Sequence, residues 1–333
     1  MTRRPPNGLD VVVGDLFDRA PDEGLSLALV VMQGGEIVAE RYGVQPANVF
    51  ETEKAIDATS TLISWSMAKS MVHAATGILV ADGLLDLDAP APVPEWHGTD
   101  KAGITTLDLL EMRSGLRFIE DYVDDETSDC IEMLFGDSGP SHAAYTAAKP
   151  LVHPPGSCWN YSSGETNVIC RIIGDIVTGE VGGDPAERKR AMLDFLDRRL
   201  FAPTGMSSAS PKFDDAGDFV GSSYVYATAR DFARFGELYR NDGVATTGVR
   251  VLPAGWCDHA RHKVADDPDS GLGYGRHWWL WPDWPGSLSC NGHEGQYIVV
   301  VPDRELVVVH LGKTPAEVID GLRDHLRRIV EQF

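Results

Sequence analysis

The chain has 333 residues, of which 43% are hydrophobic and 24% are charged, so it can bury a sizeable core and is not expected to be disordered. Its formal net charge is −21, with 50 acidic against 29 basic residues, which argues against nucleic acid or anionic lipid as a partner. The length suits one catalytic unit that carries an inserted subdomain.

The N-terminal segment, MTRRPPNGLD, contains no apolar run, so the sequence predicts neither a secretory signal nor a transmembrane anchor. The chain has 5 cysteines, an odd number, and no pair of them has C-x-x-C spacing. This usage fits reduced thiols in the cytoplasm and argues against a zinc site. No convincing phosphate-binding glycine loop occurs, and we expect neither a cofactor nor a metal.

The first strong patterns lie near the start of the chain. Two apolar, β-rich runs flank a Gly-Gly turn and predict a hairpin over residues 25–41. Residues 66–81 are apolar nearly all round and are followed by an Asp-Gly stop signal. They therefore predict a helix that is buried on every side.

The rest of the chain divides into a helical block and a second group of strands. Between about residues 90 and 211 the sequence is predicted to be mostly helical. Helices are predicted at residues 105–112, 166–177, 185–200 and 229–241. Strands are predicted at residues 296–301 and 305–311, followed by a closing helix at 315–333.

Strands at both ends of the sequence predict an α+β fold. We expect one antiparallel sheet built from both chain ends, flanked by helices, with a mostly helical inserted subdomain. The expected organisation is a single catalytic domain over residues 1–333. Its α/β part would cover about 1–89 and 212–333, and its helical part about 90–211.

Ser66 and Lys69 are candidates for a reactive pair, because residues three apart on a helix share a face. A lysine on a buried helix is costly unless it is paired or loses its proton. Burial favours the neutral amine, which can then accept the proton of an adjacent serine. The alternative is a surface lysine one turn after a capping serine, since S-x-x-K arises often by chance.

Two further segments have compositions that suit an active site. Tyr161 lies in the turn-like sequence Trp-Asn-Tyr-Ser-Ser-Gly and could present its hydroxyl to a leaving group, although a tyrosine that merely packs a loop is the simpler interpretation. Gly292-His-Glu-Gly295 precedes an apolar strand, and glycines there permit close approach of the backbone to a ligand. A backbone N–H at this strand could stabilise an oxyanion.

The order S-x-x-K, Y-x-S, H-x-G is far more specific than any one of these motifs. Matching segments span most of the chain, at residues 64–70, 83–90, 109–116, 159–164, 221–228 and 292–296. On these residues the chain resembles the serine β-lactamase-fold hydrolases, the superfamily of penicillin-recognising enzymes and class C β-lactamases. Within it the likeness is closest to the branch of 6-aminohexanoate-dimer hydrolases and carboxylesterases.

The resemblance implies a role for each motif residue. Ser66 would be the acylated nucleophile and Lys69 its general base. Tyr161 would carry a proton to the leaving group. The backbone N–H groups of Ser66 and Gln296 would form the oxyanion hole.

The resemblance also implies positions that contact the substrate. Ser163 stands where many relatives carry asparagine, and His293 stands where β-lactamases carry lysine. Gly295 belongs to the same motif as His293. Tyr122 is a weaker candidate, because a tyrosine from this loop helps bind an amide substrate in the resembled branch.

Several other features have competing interpretations. A cluster of tryptophans predicts either an aromatic wall for an apolar substrate or core packing: Trp278, Trp279, Trp281 and Trp284. We expect His73 to be a satisfied buried histidine, and His259 and His262 to lie on a solvated helix face. Glu294 is expected to point away from His293, as neighbours on a strand do. The absence of G-x-S-x-G argues against an α/β-hydrolase.

These observations predict a cytoplasmic serine hydrolase that cleaves a small ester or amide through an acyl-enzyme. Carboxylesterase activity is the first expectation and hydrolysis of short linear amides the second. The alternatives are a non-catalytic protein that senses a ligand on the same fold, a D-aminopeptidase-like or β-lactamase-like enzyme, and a metal hydrolase. The natural substrate and the oligomeric state are left open.

Overall fold

The computed structural model describes residues 5–49, 52–123 and 127–333. The arginines at positions 3 and 4, in the segment predicted to lack a leader, lie outside these ranges. The β-strands are β1 (Leu25–Gln33), β2 (Glu36–Tyr42), β3 (Val44–Gln45), β4 (Lys54–Ala55), β5 (Leu62–Ile63), β6 (Ser210–Pro211), β7 (Val225–Ala227), β8 (Ala265–Asp266), β9 (Gly273–Tyr274), β10 (Trp279–Leu280), β11 (Leu288–Gly292), β12 (Gln296–Val301) and β13 (Leu306–Lys313). The α-helices are α1 (Leu9–Phe17), α2 (Ala68–Ala81), α3 (Thr106–Leu110), α4 (Asp129–Phe135), α5 (His142–Ala147), α6 (Ser163–Thr178), α7 (Pro185–Leu196), α8 (Ala202–Thr204), α9 (Ala229–Arg240), α10 (Trp256–Ala260) and α11 (Ile319–Val330).

An antiparallel sheet of 8 strands forms the centre of the fold, in the order β2-β1-β13-β12-β11-β10-β9-β8. The first strand of the chain pairs with the last, so that Leu25 lies opposite Lys313. This arrangement confirms the predicted α+β fold with a sheet built from both chain ends. A second sheet of 3 short strands, in the order β5-β7-β6, lies beside the segment that enters α2.

Both faces of the central sheet are covered, which explains the unbroken apolar runs of its strands. All six residues of β12 are buried. Tyr297, Val299 and Val301 pack in one cluster with α1 and α11. Ile298 and Val300 pack in the main core with α2, α9 and the helices between residues 90 and 211.

Some helix boundaries differ from the predicted ones because capping residues set them. α6 begins at Ser163 rather than Thr166, since the hydroxyl of Ser162 accepts a hydrogen bond from the N–H of Glu165 and caps the helix there. α2 begins at Ala68, after a 3₁₀ turn over Trp65–Met67. Ser66 therefore lies in that turn, one step before the α-helix proper.

The prediction of a solvated helix face at His259 is wrong. The ring of His259 stacks on Trp256 with centroids 4.3 Å apart, and its Nδ1 lies 3.1 Å from Nε2 of His73. Burial lowers the pKa of His259 to about 3, so the ring is neutral. His73 is fully buried and lies 2.7 Å from the Tyr239 hydroxyl, as expected of a satisfied histidine. His262 lies beyond α10 and is exposed.

None of the helices within the described ranges is long and apolar enough to cross a membrane.

Candidate active site

The turn that carries Ser66 is held in an unusual backbone conformation. Trp65 has φ 44°, a left-handed value that a bulky residue rarely adopts. Ser64 anchors the turn: its N–H donates to the Val225 carbonyl at 2.9 Å, and its hydroxyl accepts from the Val225 N–H at 3.0 Å. Gly292 packs so closely that a Cβ there would lie 2.4 Å from the Ser64 carbonyl oxygen. The end of β11 and the turn around Ser66 are therefore in direct contact.

Lys69 lies behind Ser66 and is only 2% exposed. Its Nζ is 3.0 Å from Ser66 Oγ, 2.9 Å from Ser163 Oγ and 2.9 Å from the Ser222 carbonyl oxygen. None of the ion pairs found among the described residues includes this lysine. Its buried amine is thus satisfied by three neutral oxygens.

Ser163 links Lys69 to a carboxylate. The Ser163 hydroxyl lies 2.5 Å from Glu120 Oε1, and the Ser163 N–H donates to Glu120 Oε2 at 2.7 Å. The hydroxyl of Tyr122 also donates to Glu120 Oε1, at 2.7 Å. Sequence reasoning did not single out Glu120. The available signal was its position two residues before Tyr122, in the loop that follows the Ser-Gly-Leu motif.

Tyr161 is enclosed by other side chains of the site. Its ring centroid lies 5.5 Å from Trp279 and 5.8 Å from Tyr274, and Lys69 Nζ lies 4.9 Å from it. Burial raises the pKa of Tyr161, while the positive charge of Lys69 and a hydrogen bond with Ser66 oppose that rise. The Tyr161 hydroxyl is therefore protonated at neutral pH, and its ring lies beside Lys69.

The H-x-G motif is a turn and not part of a strand. Residues His293–Gly295 form a 3₁₀ turn between β11 and β12, and Glu294 has φ 60°. The expectation that Glu294 points away from His293 because both lie on a strand is therefore wrong in its premise. Gly295 has φ 83°, and a Cβ there would lie 2.5 Å from Leu322. The glycine is required both by its backbone conformation and by the contact with α11.

His293 and Gln296, the two predicted site residues beside that glycine, face different surroundings. The exposed ring of His293 lies 5.1 Å from Tyr122 and 5.8 Å from Trp65, centroid to centroid. The side chain of Gln296 is buried and donates to the carbonyl of Gly312 at 2.7 Å. The side-chain amide of Gln296 is already hydrogen-bonded to the backbone of Gly312. Only the backbone N–H of Gln296 is therefore a candidate donor to an oxyanion.

A cleft of about 630 Å³ opens over Ser66. Its wall includes the predicted residues Ser66, Tyr122, Tyr161, His293 and Gly295. A smaller pocket of about 170 Å³ adjoins it. One wall of this pocket is formed by residues of α4, and the rest of the lining includes Trp65 and the site residues Ser66, Tyr122, Ser163 and His293. Trp279 lines the cleft, whereas Trp278 and Trp281 are buried in the core and Trp284 stacks on Trp281. Core packing is thus confirmed for Trp278 and Trp281, while an aromatic wall for the substrate stays a prediction for Trp279.

Within the described part of the chain, no group of three or more His, Cys, Asp or Glu side chains is arranged to hold a metal ion. The cleft is built from the hydroxyl, amine and carboxylate groups described above.

Comparison with known proteins agrees with this geometry. The family profile named Beta-lactamase matches residues 15–331. The 6-aminohexanoate-dimer hydrolase of Paenarthrobacter ureafaciens is 27% identical over 328 residues, covering 90% of this chain and 77% of that protein. The structure of a family VIII carboxylesterase matches with a TM-score of 0.69 at 15% identity, covering 98% of this chain and 99% of that one. An octameric penicillin-binding protein homologue from Pyrococcus abyssi matches with a TM-score of 0.68 at 16% identity, covering 96% and 77%.

The two structural matches show the fold, and the family profile covers nearly the whole chain. The resemblance drawn from the motifs is confirmed: this chain belongs to the Beta-lactamase family, a family of hydrolases.

Proposed function

We propose that this protein is a serine hydrolase that cleaves a small ester or amide through an acyl-enzyme on Ser66. The observation that carries the proposal is the contact of Lys69 Nζ with Ser66 Oγ, at 3.0 Å, by a lysine that is only 2% exposed. A buried amine next to a hydroxyl at the floor of a cleft is the arrangement that activates a serine.

The proposed reaction begins when neutral Lys69 accepts the proton of Ser66 as its oxygen attacks the substrate carbonyl carbon. The tetrahedral oxyanion then accepts hydrogen bonds from the backbone N–H groups of Ser66 and Gln296. Tyr161 passes its proton to the leaving alcohol or amine as the bond to the carbonyl carbon breaks, and the proton that Lys69 took from Ser66 replaces it on Tyr161. Water then attacks the acyl-enzyme and gives a proton to neutral Lys69. That proton returns to Ser66 Oγ as its bond to the acyl carbon breaks, which releases the carboxylic acid.

The charges around the cleft favour an uncharged or amine-bearing substrate. The cleft wall contains the carboxylates of Glu120, Asp267, Asp269 and Glu294. Arg323, which also reaches the wall, is paired with Asp320 at 2.8 Å. A substrate carboxylate would meet net negative charge there. We therefore propose carboxylesterase-like activity first and hydrolysis of short linear amides second, in a cytoplasmic protein, as the cysteine usage predicts.

The linear-amide activity has a specific observation in its favour. One relative, 27% identical over 328 residues, is named as a 6-aminohexanoate-dimer hydrolase. A D-aminopeptidase-like or β-lactamase-like enzyme is the alternative within the same fold, and it would prefer other substrates than the simple esters and linear amides proposed here. A ligand-sensing protein without turnover is the competing class.

The test is turnover of p-nitrophenyl esters, linear amides and a chromogenic cephalosporin, combined with labelling by a fluorophosphonate probe. We expect the wild type to hydrolyse an ester and to be labelled on Ser66, and Ser66→Ala to lose both properties while remaining folded. Ser157→Ala is the matched control, because Ser157 is exposed and outside the cleft wall. Labelling of another serine contradicts the assignment. No labelling and no turnover supports the sensing protein, and loss of activity in a chelator supports a metal hydrolase.

A further inference from the structure

The two carboxylate oxygens of Glu120 bind the two donors of a single residue. Oε2 accepts from the N–H of Ser163 at 2.7 Å, and Oε1 lies 2.5 Å from the Ser163 hydroxyl. A carboxylate has acceptors only, so the hydroxyl hydrogen of Ser163 must point to Glu120. The oxygen of Ser163 can then act only as an acceptor towards Lys69, 2.9 Å away.

This direction determines where the lone pair of a neutral Lys69 points. A neutral amine has two N–H groups and one lone pair, and Lys69 Nζ has three oxygen neighbours. The Ser222 carbonyl can only accept. Ser163, with its hydrogen held by Glu120, also can only accept. Both N–H groups are then used, and the lone pair faces Ser66.

We propose that Glu120 is a positioning residue that aims the lone pair of Lys69 at Ser66 by fixing the direction of the Ser163 hydroxyl. The proposal rests on the proposed function, because it needs Lys69 to be the base. Glu120 does not have to touch the substrate for this role. It acts through one hydroxyl, 2.5 Å from its Oε1.

The substitution Glu120→Gln should reverse the direction in which the Ser163 hydroxyl donates its hydrogen bond. The Ser163 N–H is a donor, so the amide oxygen of glutamine must take the place of Oε2. The amide nitrogen then faces Ser163 Oγ and donates to it. The hydroxyl hydrogen of Ser163 is left with Lys69 as its nearest partner and occupies the lone pair that should face Ser66. The Tyr122 hydroxyl adapts, since it can accept as well as donate.

The experiment is a double-mutant cycle on a neutral p-nitrophenyl ester with Glu120→Gln, Ser163→Ala and the double variant. We expect Glu120→Gln to lower kcat on the order of 100-fold, with KM unchanged within about twofold, because the base is misdirected while the cleft is intact. Ser163→Ala should lower kcat by only about tenfold, because it removes an acceptor but adds no competing donor. In the double variant kcat should return to the Ser163→Ala level, which is a gain of about tenfold over Glu120→Gln alone.

A kcat that recovers when Ser163→Ala is added to Glu120→Gln is the signature of this mechanism. If Glu120 had a merely structural role, the two losses of kcat would add in the double variant. Asp137→Asn is the matched control: it removes one exposed carboxylate after α4, outside the cleft wall, and should leave kcat unchanged. If the double variant is slower than Glu120→Gln, or if Glu120→Gln changes KM instead of kcat, the inference is refuted while the proposed function stands. If the wild type hydrolyses no ester or amide, both are refuted.

Discussion

At the scale of single residues, Tyr161 has an enclosed ring and lines the cleft that opens over Ser66. Its ring contacts Trp279 and Tyr274, and Lys69 Nζ lies 4.9 Å from the ring centroid. Because burial raises the pKa of Tyr161, the phenol holds its proton at neutral pH. This protonated phenol is the group that we propose as the proton donor to the leaving group.

Replacing that hydroxyl tests the role. We expect Tyr161→Phe to lower kcat for a linear amide roughly 10²–10⁴-fold, the usual range for general acid–base catalysis. The loss should be much smaller for a p-nitrophenyl ester, because p-nitrophenolate leaves without a proton. Steady-state kinetics on both substrates measures the difference. Equal losses on both would show that the ring only packs the site.

His293 tests the charge preference of the cleft. It stands on the 3₁₀ turn beside Tyr122 and Trp65. By the motif resemblance, this is the position at which β-lactamases are expected to carry a lysine, with its permanent positive charge. We expect weak turnover of a cephalosporin by the wild type. His293→Lys should improve binding of carboxylate-bearing substrates by about 1 kcal/mol, since an exposed charge pair is worth little.

The control for this change is His293→Gln, which alters the side chain without adding charge and should give no such gain. Inhibition constants for a cephalosporin compare the three proteins. A wild type that turns over the cephalosporin as fast as its best ester would contradict the expectation.

At the scale of elements, periodicity predicted the strands and long helices because burial sorts their side chains. β1, β12 and α2 lie close to where their apolar patterns placed them. Helix boundaries that depend on a single capping hydrogen bond were not predicted, because one polar residue does not change the apolar pattern. The start of α6 after the cap residue Ser162 is an example. The 3₁₀ turn at His293–Gly295 was also missed, since its glycines fit a strand entry equally well.

The same reasoning explains which parts of the candidate site could be predicted. Ser66 and Lys69 are neighbours on one element, so their spacing was informative. Tyr161 was brought in by its motif, and the structure places it with them. Glu120 could not be found in this way, because its contact with Ser163 joins residues 43 positions apart through a loop of no regular pattern.

The short helix α4 forms one wall of the pocket of about 170 Å³ beside Ser66. Ile131, Leu134 and Phe135 face this pocket, so we expect it to hold the acyl chain of the substrate. Leu134→Trp should lower kcat/KM for a p-nitrophenyl hexanoate about tenfold and leave the acetate ester within about twofold, because only the longer chain needs the space.

Leu193→Trp on α7 is the matched control, since it adds the same bulk to a partly exposed position away from both pockets. Equal losses for the two esters would mean that the acyl chain does not enter this pocket. A loss that follows the size of the alcohol instead would assign the pocket to the leaving group.

At the scale of the whole molecule, one buried acid should make stability depend on pH. Glu165, near the start of α6, is 1% exposed, and its Oε1 accepts from the Ser114 hydroxyl at 2.6 Å. Burial raises the pKa of Glu165 from 4.5 to about 8, although the Ser114 hydrogen bond opposes the rise. The folded protein therefore keeps a proton that the unfolded chain releases.

The contribution of Glu165 to the free energy of unfolding is full below pH 4.5 and is lost as the pH rises towards about 8, by at most about 1.4 kcal/mol per pH unit. Glu165→Gln cannot titrate, so its stability should fall less between pH 5.5 and 7.5. Urea denaturation at several pH values compares the two proteins. Parallel curves would show that Glu165 titrates as it does in the unfolded chain.

The pairing of β1 with β13 has a consequence for how the molecule is made. β1 can join β2 as soon as the hairpin leaves the ribosome, but its other edge has no partner until β13 has been synthesised, nearly a full chain length later. Such non-local strand pairing forms slowly. Until it forms, seven residues of β1 that are buried in the folded protein lie next to an unpaired strand edge, to which another chain can bind. The growing chain, more than the folded protein, is thus the form prone to aggregate. Deleting residues from 306 onwards withdraws the partner of the first strand as well as the last helix.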